Sequence, residues 1–97
     1  MKIKRNIGRN RGQSRVWIEG QALAVNGWSR GETYERLAIA NGFRLTKTAK
    51  GKLKVAGTST RPILDLNGAY VTKALQGFET VSVQIDQTSI IIQGGTS

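Results

Sequence analysis

The side chains able to do chemistry in this sequence are few in kind. Histidine and cysteine are both absent. Their absence removes the commonest general base, the Ser-His-Asp and Cys-His nucleophile systems, and the imidazole and thiolate ligands of zinc. It also removes any disulfide framework. Six carboxylates remain, Glu19, Glu32, Glu35, Asp65, Glu79 and Asp86, and none of them forms a recognisable acid–base pair or metal-ligand spacing. Asp65 stands between Leu64 and Leu66, the pattern of an exposed strand position. The segment Gly8-Arg9-Asn10-Arg11-Gly12 is bounded by glycines but lacks the Lys-Ser/Thr pair and the preceding strand of a phosphate-binding loop. The sequence therefore reads as non-enzymatic, with no cofactor and no metal site.

Cations are what the chain has in excess. Its 97 residues carry 15 Lys+Arg against 6 Asp+Glu, a net charge of +9, and the surplus is unevenly placed. Lys2, Lys4, Arg5, Arg9, Arg11 and Arg15 occupy the first fifteen residues with no acid among them. Arg44, Lys47, Lys50, Lys52, Lys54 and Arg61 fill a second acid-free stretch, and the remainder of the chain is slightly acidic. A polyanion is the partner that such blocks fit best. The candidate nucleic-acid contacts are Lys2, Lys4, Arg5, Arg9, Arg11 and Arg15 in the first block and Arg44, Lys47, Lys50, Lys52 and Lys54 in the second.

The two blocks predict different local structure. Residues 1–14 show no persistent period and read as a flexible basic arm, able to track phosphates or to enter a minor groove. The bland alternative is a solvated terminus. In the second block Phe43, Leu45, Leu53 and Val55 alternate with Arg44, Thr46, Lys52 and Lys54. This predicts a hairpin of Phe43–Thr48 against Lys52–Ala56, turning at Ala49-Lys50-Gly51 with Gly51 at positive φ. Its cations would share one exposed face, either to hold an anion or to shield an edge.

The elements that position these blocks are short. Strands are predicted over residues 15–18, 33–40, 62–66, 79–85 and 88–93, and short helices over 20–26 and 68–76. Asn67 is the candidate N-cap of the second helix, and Asn41-Gly42 is a strong hairpin turn. Residues 16–28 and 63–78 follow one theme of strand, short helix and Gly-aromatic, each leading into a hairpin. The organisation is thus an arm (1–14), a first repeat unit with the basic hairpin (15–57), a linker (58–61) and a second repeat unit (62–97). Trp17 and Tyr70 fall in apolar elements and read as core. Trp28 and Phe78 occupy equivalent places after the helices, and Tyr34, beside Glu35 and Arg36, is the aromatic expected at the surface. No apolar run approaches the ~18 residues of a membrane span, and no secretory segment follows Met1.

Pro62-Ile63-Leu64-Asp65-Leu66-Asn67-Gly68, Ala74-Leu75-Gln76-Gly77-Phe78, Val81-Ser82-Val83 and Ile90-Ile91-Ile92 together resemble the SymE-like branch of the AbrB/MazE/SpoVT superfamily. Trp17-Ile18-Glu19-Gly20 and Asn26-Gly27-Trp28 match the pattern more loosely. The resemblance implies a small swapped-hairpin β-barrel of two β-α-β-β units, here in tandem within one chain, as a pseudo-dimeric monomer or a homodimer. It also implies DNA binding in transcription control. The expectation is a mainly β protein with two short helices that binds double-stranded DNA as a regulator or small architectural protein. The alternatives are an RNA-binding SymE-like toxin and a nucleic-acid-associated assembly protein. The expected location is cytoplasmic and nucleoid-associated, with no membrane partner.

Overall fold

Alternation of apolar and polar side chains organises most of the chain into strands, because successive strand residues point to opposite sides. The computed structural model describes residues 1–95. The strands are β1 (Lys2–Asn6), β2 (Gly8–Asn10), β3 (Gln13–Glu19), β4 (Thr33–Ile39), β5 (Gly42–Lys47), β6 (Leu53–Lys54), β7 (Ala56–Gly57), β8 (Pro62–Asn67), β9 (Thr80–Ile85) and β10 (Ser89–Gly94). Two short helices, α1 (Gln21–Ala24) and α2 (Ala69–Ala74), follow β3 and β8. A large sheet of six strands runs β1-β9-β10-β5-β4-β6, and a small sheet of four runs β2-β3-β8-β7. The protein is mainly β, and among the described residues the two sheets do not close into a barrel.

The core lies between the sheets. Phe43, Leu45, Val81, Val83, Ile85, Ile90 and Ile92 face inward from the large sheet, and Val16, Ile18, Leu64 and Leu66 from the small one. Leu23 of α1, Val71 of α2 and Trp28 fill the ends. Trp28 donates its indole Nε1 to the Asp86 carbonyl at 2.7 Å, which satisfies the polar atom of a fully buried ring.

Both sheets read the same from either end, and the pairing registers show why. In the small sheet Val16 faces Leu66 while Ile18 faces Leu64. In the large sheet Phe43 faces Ile92 while Leu45 faces Ile90. Each is the pattern made by a two-fold axis exchanging β3 with β8 and β5 with β10. The Ile7 N–H donates to the Glu79 carbonyl and the Val55 N–H to the Glu32 carbonyl, both at 2.9 Å, so β1–β2 is the counterpart of β6–β7. Gly20 and Gly68, at φ 77° and 100°, enter the two helices in the same left-handed bend, which a side chain would strain. The repeated unit is therefore longer than the strand–helix–hairpin theme: β1–β5 corresponds to β6–β10, and both basic blocks belong to it.

Several local expectations are corrected. Residues 2–6 and 8–10, read as part of a flexible arm, are strands. Lys2 to Asn6 pairs residue by residue with Gln84 to Thr80, and Ile3 and Ile7 pack on the core. Arg5, between those isoleucines, obscured the period. Residues 43–56 are not a hairpin. A strand has only two hydrogen-bonding edges, and those of β5 are taken by β4 and β10. The chain instead rounds the end of β4 and pairs β6 with its far edge, Thr33 facing Lys54 and Tyr34 facing Leu53. Gly51 is needed there for close approach rather than positive φ: a Cβ would lie 2.5 Å from the backbone N and O of Tyr34. Asn67 does not cap α2; Gly68 holds that position, and the Asn67 amide turns back to Asp65 Oδ1 at 3.2 Å.

Candidate nucleic-acid interface

The outward face of the large sheet follows from its registers. Lys2 stands opposite Gln84, Gln84 opposite Ile91, Ile91 opposite Arg44, and Arg44 opposite Leu37. The adjacent row runs Lys4, Ser82, Gln93 and Gly42. Thr80, Ser89, Thr46 and Thr33 share this side, as does Lys54 opposite Thr33. The floor is thus mostly Gln, Ser and Thr. Cations lie at both rims and at Arg44 near the middle; its acids are Glu35 and, beside Lys2, Gln84 and Ile91, Asp86. At 4.8 Å per strand the two rims are about 24 Å apart, and Lys2 is about 14 Å from the Arg44 strand.

The two-fold relation ties the rims together. Asn6 and Lys54 are counterparts, each opposite the threonine that opens a hairpin, Thr80 and Thr33. Counting back along both segments places Lys4 against Lys52 and Lys2 against Lys50. Within the two blocks, Lys2 and Lys4 on one rim and Lys50 and Lys52 on the other are therefore one edge feature occurring twice. Lys50 and Lys52 lie in the bend before β6, exposed like Lys2 and Lys4.

The remaining candidates go elsewhere. Lys47, at the end of β5, donates its Nζ to the Gly27 carbonyl at 2.7 Å and lies 5.1 Å from the Trp28 ring, so it fastens the fold. Arg9 on β2 donates Nη1 to Ser14 Oγ at 3.1 Å. Arg11 sits in the β2–β3 turn at φ 53°. Arg5 faces the opposite side of β1 from Lys4 and caps its carbonyl, Nη1 to O at 2.9 Å. Arg15 grips Asp65 with two bonds, Nε to Oδ1 at 2.7 Å and Nη2 to Oδ2 at 2.8 Å. The guanidinium holds the Asp65 carboxyl below the usual carboxylate range, and the same bond raises Arg15. Asp65 is exposed, as its alternation suggested.

Two aromatic expectations reverse. Tyr34 is only 5% exposed and meets Trp28 edge-on, ring centroids 6.0 Å apart; burial raises its phenol. Trp17 is 37% exposed on the outward side of the small sheet, with the Arg15 guanidinium 4.6 Å from its ring centre. Val16-Trp17-Ile18 is a continuous apolar run, so period alone could not say which member turned out. Ser14, buried with Val16 and Ile18 and donating its backbone N–H to Thr72 Oγ1 at 2.8 Å, marks the inward phase. Tyr70 is half-buried, and Arg36 stacks 3.8 Å from its ring centre.

Among the described residues no helix is long and apolar enough to cross a membrane. Comparison of the chain with protein-family models, with curated proteins and with solved structures returns no match.

Proposed function

We propose that this protein binds nucleic acid without catalysis, duplex DNA foremost, by laying the outward face of its large sheet across phosphates. The observation that carries this reading is the repetition of exposed lysines at both rims of a face built mostly of Gln, Ser and Thr. Like charges gathered on an otherwise near-neutral fold repel one another, and a polyanion relieves that repulsion. A face about 24 Å wide exceeds the ~12 Å major groove, so it spans backbones rather than entering the groove. It carries no aromatic side chain, which disfavours base stacking of the kind used by RNA-binding sheets.

Under this reading the duplicated β-α-β-β theme is that of an AbrB- or SymE-like swapped-hairpin protein, acting on DNA as a regulator or architectural protein in the nucleoid. The test is a salt-titrated binding series on duplex DNA, single-stranded DNA and structured RNA. With Lys2, Lys4, Arg44, Lys50, Lys52 and Lys54 engaged, log K for duplex DNA against log salt falls with a slope of about −5.4. A flat response rejects the proposal. Preference for RNA by more than tenfold transfers the reading to the RNA-binding alternative, and large ordered oligomers by light scattering transfer it to an assembly role.

A further inference from the structure

The small sheet carries a second surface that the phosphate-spanning face does not use. Trp17 stands outward at its centre, opposite Asp65. Beside it runs a groove of about 420 Å³ lined by Arg5, Asn6, Gly8, Arg15 and Trp17, within the range of small-ligand sites. Gly8, opposite Arg15, presents no side chain and keeps the floor low.

The groups around this groove differ in what they can still offer. Arg15 is committed: its fork closes on Asp65, whose charge it neutralises, and its planar group lies over the indole. That clamp holds the Arg15 guanidinium 4.6 Å from the Trp17 ring centre without leaving net charge there. Arg5 has given one of its N–H donors to the Lys4 carbonyl, and a guanidinium has five. The groove thus offers a π-surface at one side and, at the other, a cation with no ion pair among the described residues, with no acid in its lining. An exposed tryptophan adds nothing to this core, which is closed beneath it by Val16 and Ile18.

We propose that this groove takes a single unpaired nucleotide, its base against the Trp17–Arg15 stack and its phosphate on Arg5. The proposal rests on the nucleic-acid reading above and adds a base-contacting site to it. A paired base, stacked within a duplex, cannot present its face to Trp17, so the site selects unpaired strands or free nucleotides.

The test uses the full chain, wild type, Trp17→Thr and Arg5→Gln. The probes are oligo(dT), an abasic oligomer of equal length, a duplex and adenosine monophosphate. Threonine suits an exposed strand position, and matching circular dichroism and urea midpoints establish that both variants fold. Expected are quenching of tryptophan emission by oligo(dT), arising from Trp17 because Trp28 is fully buried, and a loss of roughly five- to 150-fold in oligo(dT) affinity in Trp17→Thr. The abasic oligomer and the duplex bind the variant as they bind wild type, and Arg5→Gln weakens oligo(dT) and lowers its salt slope by about 0.7. Saturable quenching by the mononucleotide identifies a free-nucleotide site, and quenching by the oligomer alone identifies a strand site; either supports the groove. Equal oligo(dT) affinity in wild type and Trp17→Thr, with duplex binding intact, overturns this inference and leaves the proposed function standing. Binding of no probe overturns both.

Discussion

The equivalence of the two lysine rims makes a quantitative prediction. Lys2 and Lys4 on one edge correspond to Lys50 and Lys52 on the other, through registers that pair Asn6 with Thr80 and Lys54 with Thr33. Each double substitution, Lys2→Gln/Lys4→Gln or Lys50→Gln/Lys52→Gln, removes two cations from one rim. If each contacts one phosphate, each variant lowers the magnitude of the duplex salt slope by about 1.8, and the quadruple variant by about 3.6. All four positions are exposed, so stability should change by less than about 0.5 kcal/mol per substitution. Fluorescence anisotropy on one labelled duplex across a salt series provides the slopes. Arg9→Gln/Arg11→Gln, on the strand and turn of the other sheet, is the control and should leave the slope unchanged. An effect carried wholly by one rim, or a slope lowered by the Arg9/Arg11 pair but not by the rims, overturns the two-rim interface.

The remaining predictions concern the scaffold. Phe43→Ala should cost about 3–5 kcal/mol in urea unfolding, because Phe43 is fully buried and meets Tyr70 edge-on at 5.8 Å. Gly51→Ala places a Cβ 2.5 Å from the Tyr34 backbone, so β6 must shift; faster hydrogen exchange at the Val55 amide, which donates to Glu32, would report it. Asp86 accepts the backbone N–H groups of Thr88 and Ser89, each at 2.8 Å, and these bonds hold its carboxyl below the usual range, as Arg15 does for Asp65. An acid with a lower pKa folded than unfolded contributes stability above its unfolded value and loses it as pH falls through the folded one. The urea midpoint should therefore drop as pH is lowered below about 4, and less steeply in Asp86→Asn.

Much of the chain was legible before folding. Val81, Val83 and Ile85 alternate with Thr80, Ser82 and Gln84, and β9 appeared where that period placed it. Asn41-Gly42 turned β4 into β5, with Asn41 at φ 61°. The strand–helix theme was visible at Gly20 and Gly68. The candidate site was legible only as a list of cations. Eleven were singled out on charge alone; Lys47 proved to be a bracket for Gly27, and Arg15 a partner for Asp65. Trp17, central to the small sheet's outward face, was hidden by its apolar neighbours.

From sequence alone came that the protein is mainly β, where β3–β5 and β8–β10 fall, and that its charge excess sits in two acid-free blocks. These are local properties: period, turn chemistry and composition. Tertiary pairing decided that residues 2–6 and 8–10 are strands, that β6 joins the far edge of β4, and that Lys2 and Lys4 of one block match Lys50 and Lys52 of the other at opposite rims of one sheet. It also decided that Trp17 turns out while Tyr34 turns in. A strand's period marks its two faces but says nothing of which neighbour takes each edge or which face the core will claim; those depend on every other strand at once.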